Sequence, residues 1–164
     1  MKTLEKFKLA QDTSGFDLII NELAVGKKET HWMWFIFPQM MGLGKSPKSR
    51  FFGIEDLETA IEYVEDDLLG FRLINCCKWL LDHKNKPIVD ILGEIDTYKL
   101  RSSMTLFEHA ASVSRTDSFK DYGVFQRVLD SFFDGEKCEI TLNLLGIATR
   151  TTPPTNDFTL ESVI

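Results

Sequence analysis

Leu69-Gly70-Phe71-Arg72-Leu73-Ile74-Asn75-Cys76-Cys77-Lys78-Trp79-Leu80 decides the fold. Leu69, Leu73, Cys76, Cys77 and Leu80 fall on one side of a helical repeat, so the stretch reads as a long helix with one buried face. Gly70 lies near its start, where a glycine weakens a helix least. The same spacing recurs on both sides. Phe16, Ile19, Ile20 and Leu23 form a stripe that Gly26 ends. Leu57, Ala60, Ile61 and Val64 form another, with Asp56 as its cap. Downstream, Leu100, Met104, Phe107 and Ala111 repeat the pattern, as do Phe125, Val128, Leu129 and Phe132, closed by Asp134-Gly135. A last short helix is expected over 139–145. No segment sustains period-two alternation. The expectation is an all-α fold of about seven helices in a single compact domain over residues 1–148. The segment from Phe35 to Phe52 is the irregular exception. A polar, proline-bearing extension at 149–164 is expected to be flexible.

Composition narrows the functional classes. The chain has 164 residues, 43% of them hydrophobic, which is enough for a real core. Acidic residues outnumber basic ones, 25 to 19, and the net charge of −6 argues against a nucleic-acid polymer as partner. No apolar run is long enough to cross a bilayer, so no membrane partner is expected. Met1-Lys2-Thr3-Leu4-Glu5 does not read as a secretory signal. Cys76, Cys77 and Cys138 have no metal-ligand spacing and read as reduced core thiols, which suits a cytoplasmic protein. The residues call for no cofactor and no metal. The run Glu62, Glu65, Asp66, Asp67 reads as a solvated helix end, and His83 and His109 as surface residues.

Chemistry gathers in two segments. The first is His31-Trp32-Met33-Trp34-Phe35-Ile36-Phe37-Pro38-Gln39, followed by Gly42-Leu43-Gly44-Lys45-Ser46. So much aromatic surface must be buried, which sets His31, Gln39, Lys45 and Ser46 beside a dry wall, as in a small-ligand pocket. His31 is either a satisfied helix-end histidine or a proton carrier at the pocket rim, desolvated by its neighbours. Trp32 and Trp34 point differently on any regular backbone, so one can be core while the other stacks on a ligand ring. Gly42 to Ser46 is either a plain turn or an anion-binding loop, with Ser49 and Arg50 adding donors. The second segment is Asp96 to Phe107. Asp96 suits a helix N-cap, and Lys99 and Ser103 share a face. Ser102, Ser103 and Thr105 either bond preceding carbonyls or turn a polar face into the pocket opposite Trp34. The candidate catalytic residues are therefore His31, Asp96 and Lys99. The candidate ligand-binding residues are Trp34, Gln39, Gly44, Lys45, Ser46, Arg50, Ser102 and Ser103.

At these two clusters the chain resembles a bacterial all-helical domain family of unknown function, whose members are sometimes labelled calpastatin. The resemblance runs from about Phe7 to about Leu145. It rests on the aromatic block His31 to Gln39, on Gly42-Leu43-Gly44, Leu69-Gly70, Arg72-Leu73, Asp96 and Lys99, and on Ser102-Ser103-Met104-Thr105-Leu106-Phe107. Family members tend to carry His-Pro where this chain has Asp66-Asp67, a place a capping aspartate can fill. The resemblance implies an all-helical single domain and no particular reaction. The label conflicts with the aromatic content, since calpastatin-like inhibitors are largely disordered. More distantly, the order of features is similar to helical domains that hydrolyse ADP-ribosyl N-glycosides.

The expectation is a pocket that binds or hydrolyses a small anionic, phosphorylated, nucleotide-like molecule, such as an ADP-ribose N-glycoside. Two alternatives stand beside it. One is a non-catalytic ligand sensor. The other is a helical interaction module acting through its acidic surface or its tail.

Overall fold

The computed structural model describes residues 2–114 and 119–147. Among them ten helices follow in order: α1 (Lys2–Thr13), α2 (Phe16–Val25), α3 (Met33–Ile36), α4 (Pro47–Phe51), α5 (Leu57–Glu65), α6 (Asp67–Leu81), α7 (Ile88–Leu92), α8 (Glu94–Val113), α9 (Val124–Phe133) and α10 (Glu139–Leu144). The fold is all-α, as the periodicity predicts. No strand forms among the described residues; one isolated parallel bridge joins Met40 and Ile54. No helix is long and apolar enough to cross a membrane. The extension at 149–164 lies outside the described residues.

The expected count of about seven helices falls short because α3, α4 and α7 have only four or five residues each, too few to display a period. Local chemistry makes α4. The Ser46 hydroxyl accepts the Ser49 N–H at 3.1 Å, and Pro47 opens the helix with φ already set. Asp66 is likewise a working residue and not just part of a solvated end. Its carboxylate accepts the Leu68 and Leu69 N–H groups at the start of α6 and pairs with Lys8 Nζ at 2.9 Å.

α8 is the central post, about 30 Å long from its residue count and helical rise, with α5, α7, α9 and α10 packed around it. A run of rings crosses the core. Phe7 meets Tyr63 edge-on at 5.2 Å, Tyr63 meets Phe107 at 5.2 Å, and Phe107 meets Phe125 at 6.1 Å. Buried Gln11 ties four helices together through polar bonds. Its Nε2 donates to the Phe35 carbonyl at 2.8 Å and to the Tyr63 hydroxyl, and its Oε1 accepts from Arg72. Cys76, Cys77 and Cys138 are buried free thiols, and burial pushes the Cys76 thiol up to about 12.

The connection from α2 to α3 is held from several sides. Gly26 ends α2 in the left-handed region at φ 83°, with no room for a Cβ against the His83 ring. His83 is thus not a plain surface residue. It gives its Nε2 proton to the Leu23 and Ala24 carbonyls at the end of α2. The Lys28 N–H then reaches the Ile91 carbonyl at 2.7 Å, which fastens this turn to α7. Glu22 does most of the ordering. Its carboxylate accepts the Glu29 and Thr30 N–H groups, the Thr30 hydroxyl and the Trp32 Nε1–H, at 2.6 to 3.1 Å.

Partial burial works against the Glu22 charge, but these donors outweigh it and hold its pKa near 2, against an ordinary 4.5. A depressed carboxyl pKa adds stability above the unfolded value and loses it as pH falls through the folded one. Glu22→Gln should therefore cost about 1–2 kcal/mol at neutral pH, discounted for exposure. It should also flatten the acid side of the stability curve between pH 4.5 and about 2, measured by urea unfolding across pH. Gly70→Ala should cost at least about 2 kcal/mol, because its new Cβ would stand 2.3 Å from the Val64 carbonyl oxygen, a backbone atom that cannot swing away. Thermal unfolding reads this directly.

Candidate functional site

The aromatic block splits as the alternation of Trp32 and Trp34 predicts. Trp32 is 1% exposed, in the core, with its Nε1 proton on Glu22. Trp34, on α3, is half-buried and lines a groove of about 580 Å³ between the α2–α3 turn and the start of α8. Lys28, His31, Met33 and Asp96 also line it, with Leu92 to Ile95 along the far side.

Three charged side chains meet at its edge. Lys28 Nζ is 2.9 Å from one Asp96 oxygen, and Lys99 Nζ is 3.7 Å from the other. All three side chains are largely buried, 9%, 16% and 7% exposed in that order. Two ammonium groups stand over the Trp34 ring, Lys99 Nζ at 4.9 Å from its centre and Lys48 Nζ, from α4, at 4.8 Å. Lys28 Nζ lies 5.2 Å from the Trp32 ring centre. Indole faces attract cations, so the rings position the lysines as the lysines cover the rings. Desolvation lowers the Lys99 pKa and the Lys28 charge lowers it further, while Asp96 raises it. A smaller hollow of about 10 Å³ adjoins Trp34 and Lys99, bounded also by Phe37, Gln39, Ser49 and Phe52.

Of the sequence candidates, His31, Trp34, Gln39, Asp96 and Lys99 come together here. Their settings differ from expectation in places. His31 is exposed on the rim, because the neighbouring rings turn inward and leave it in water. Asp96 is not the N-cap of α8. The helix begins earlier, after Gly93 at φ 87°, which leaves the Asp96 carboxylate free to hold the two lysines. Gly44, Lys45, Ser46 and Arg50 line neither space. Ser46 is occupied as the α4 cap, and Lys45 and Arg50 are exposed. Ser102 donates to the Tyr98 carbonyl and contacts Cys138 Sγ at 3.3 Å. Thr105 donates to the Arg101 carbonyl and receives the Cys138 N–H, so it fastens the chain entering α10. Ser103 is fully buried one turn beyond Lys99, and no described group answers its hydroxyl.

Sequence reasoning missed Lys28 and Lys48. Lys28 had a signal, since it precedes the aromatic block within a turn that glycine begins. Lys48 had one only through α4, whose Ser46-Pro47 start places it. Among the described residues no three His, Cys, Asp or Glu side chains group as a metal site.

Residues 1–145 match the family described as a protein of unknown function, DUF1810. The chain belongs to this family. Its fold is shared with a crystal structure of the conserved hypothetical protein Rv1873 from Mycobacterium tuberculosis, at 36% identity and a TM-score of 0.80, over 88% of this chain and 97% of that one. No curated protein matches. The match takes in both the aromatic block and the Asp96–Lys99 turn.

The charged trio makes a direct prediction. Asp96→Asn leaves two largely buried ammonium groups facing each other, and should destabilise the protein by about 2–4 kcal/mol. Adding Lys99→Met should recover part of that loss in urea unfolding, because an apolar chain of similar length suits the Trp34 face.

Proposed function

We propose that the groove binds a small phosphorylated, nucleotide-like molecule, with its ring beside Trp34 along the groove wall and its phosphate among the lysines. One observation carries this reading. The Trp34 indole, with ammonium groups 4.8 and 4.9 Å from its centre, stands in the wall of a groove of about 580 Å³. That volume suits a drug-sized ligand. A flat apolar wall bordered by fixed positive charge suits a ring joined to a phosphate. Lys28 and Lys99 set two cations at the groove's edge against the carboxylates of Asp96 and Glu94, and an anion would settle on the lysine side.

Hydrolysis of an N-glycoside such as an ADP-ribose conjugate is the reaction such a groove would serve. His31 on the rim is the group free to carry a proton, with Asp96 and Lys99 keeping the charge balance. One observation favours the sensor alternative. Both Asp96 oxygens face ammonium groups, so this carboxylate is committed to holding charge and not to moving a proton.

The test is calorimetry and product chromatography with AMP, ADP-ribose and NAD. The expected result is saturable binding of ADP-ribose that weakens by about tenfold in Lys99→Met, or roughly 1.4 kcal/mol. Affinity should also fall as pH rises, beginning below the ordinary lysine range of 10.5, because the lowered Lys99 pKa empties that ammonium early. Products that vanish in His31→Ala while binding persists identify an enzyme, and binding with no product identifies a sensor. No heat with any of the three nucleotides rejects the reading.

A further inference from the structure

The small hollow beside Trp34 has a polarity of its own. Gln39 is 8% exposed, yet no described group meets its side-chain oxygen. The Trp34 Nε1–H is buried and also unanswered. Both residues border the same space of about 10 Å³, whose remaining walls include Phe37, Phe52 and Lys99. An indole N–H only donates and an amide oxygen only accepts. Buried polar atoms are normally satisfied, so an unmet donor and an unmet acceptor around one space describe what that space takes.

The occupant must both accept and donate through a group the size of one water, since such a volume holds about one. A phosphate oxygen accepts only, and an ammonium donates only. An amide or a nucleobase edge offers both functions but on separate atoms that need more room. A hydroxyl carries both on one oxygen, as does a lone water, which a ligand hydroxyl would displace. We propose that this hollow is a hydroxyl subsite, and that the ligand of the adjoining groove is a sugar phosphate. One sugar hydroxyl enters between Trp34 Nε1 and Gln39 Oε1 while the phosphate stays with Lys28 and Lys99. This rests on the anion-binding reading of the groove, with which the hollow shares Met33 and Trp34. Aromatic walls with a donor and an acceptor set among them also match the two surfaces of a sugar, its C–H face and its hydroxyl edge.

The test compares three probes by calorimetry: ribose 5-phosphate, cyclopentylmethyl phosphate (a ring of the same size without hydroxyls) and inorganic phosphate. The wild-type protein should prefer ribose 5-phosphate over the carbocycle by at least about tenfold, because a site built around a hydroxyl rejects the analogue lacking it. Gln39→Met keeps the side-chain length and removes the acceptor. It should erase that preference by weakening ribose 5-phosphate about tenfold more than the carbocycle. Trp34→Phe, which removes the N–H and keeps an aromatic face, should also erase the preference. Equal binding of the two ring phosphates by the wild type overturns the hydroxyl subsite and leaves the groove reading standing. So does a preference that survives both substitutions. Failure of all three phosphates to bind while ADP-ribose still binds overturns the sugar-phosphate subsite alone; failure of ADP-ribose, AMP and NAD as well overturns the groove reading with it.

Discussion

Four hydrogen bonds converge on one carboxylate, and much of the molecule depends on where they hold it. Glu22 projects from α2 and gathers the backbone of Glu29 and Thr30 together with the Trp32 indole. That fixes the direction in which the aromatic block leaves the turn. Trp32 goes into the core, Trp34 turns to the groove, and His31 between them is left in water. The charge on Glu22 is what makes this bundle strong, since hydrogen bonds to an ionised acceptor are about twice as strong as neutral ones. The neighbouring turn carries Lys28, whose N–H is tied to α7 and whose ammonium reaches Asp96 on α8. One end of α2 therefore sets both the indole and the first cation of the groove.

Stability alone does not account for the Lys28–Asp96–Lys99 group. Burying charges is expensive, and a paired set about breaks even against apolar residues of similar volume. What the arrangement does supply is fixed charge. Two ammonium groups are held by one carboxylate and two indole faces in a poorly hydrated place, so their positions are set before any anion of the proposed kind would arrive. The trio carries one net positive charge, and Glu94 on the same groove wall stands against it.

Much of the fold was legible because long amphipathic helices announce themselves. The stripes turn toward the core where the spacing puts them: Ile19, Leu23, Ala60, Val64, Leu69, Leu73, Cys76, Cys77, Leu80, Phe125, Val128 and Leu129 are buried, and Phe16, Leu57, Ile61 and Phe132 pack against them partly exposed. What stayed hidden was short or long-range. α3, α4 and α7 have too few residues to show a period, and α4 is legible only through the Ser46 cap and Pro47. The convergence of Trp34 and Lys99 was readable as a possibility from their chemistry, but nothing local links residues so far apart. Asp96 shows how a correct residue can receive the wrong local role. Its type suits a cap, and only the packing of the α2–α3 turn against α8 reveals the lysine it holds instead. The serines of α8 follow from the helix repeat once the neighbours are known. Ser102 and Thr105 face the chain entering α10, while Lys99 turns toward the aromatic wall.

The bridge between Met40 and Ile54 closes the intervening loop on itself. The Met41 N–H meets the Ile54 carbonyl at 2.8 Å, and the Ile54 N–H meets the Gln39 carbonyl at 2.9 Å, so the chain leaves and re-enters the body at one point. α4 rides on this closed loop as an attachment, with Lys48 leaning onto Trp34 from outside. Leu43, fully buried, and Phe52, packed on Phe7 and Phe35, tie the loop to the body behind it. Its exposed positions Lys45, Lys48 and Arg50 are the ones open to change, and they offer a practical place for setting new side chains beside Trp34 on an otherwise unchanged scaffold.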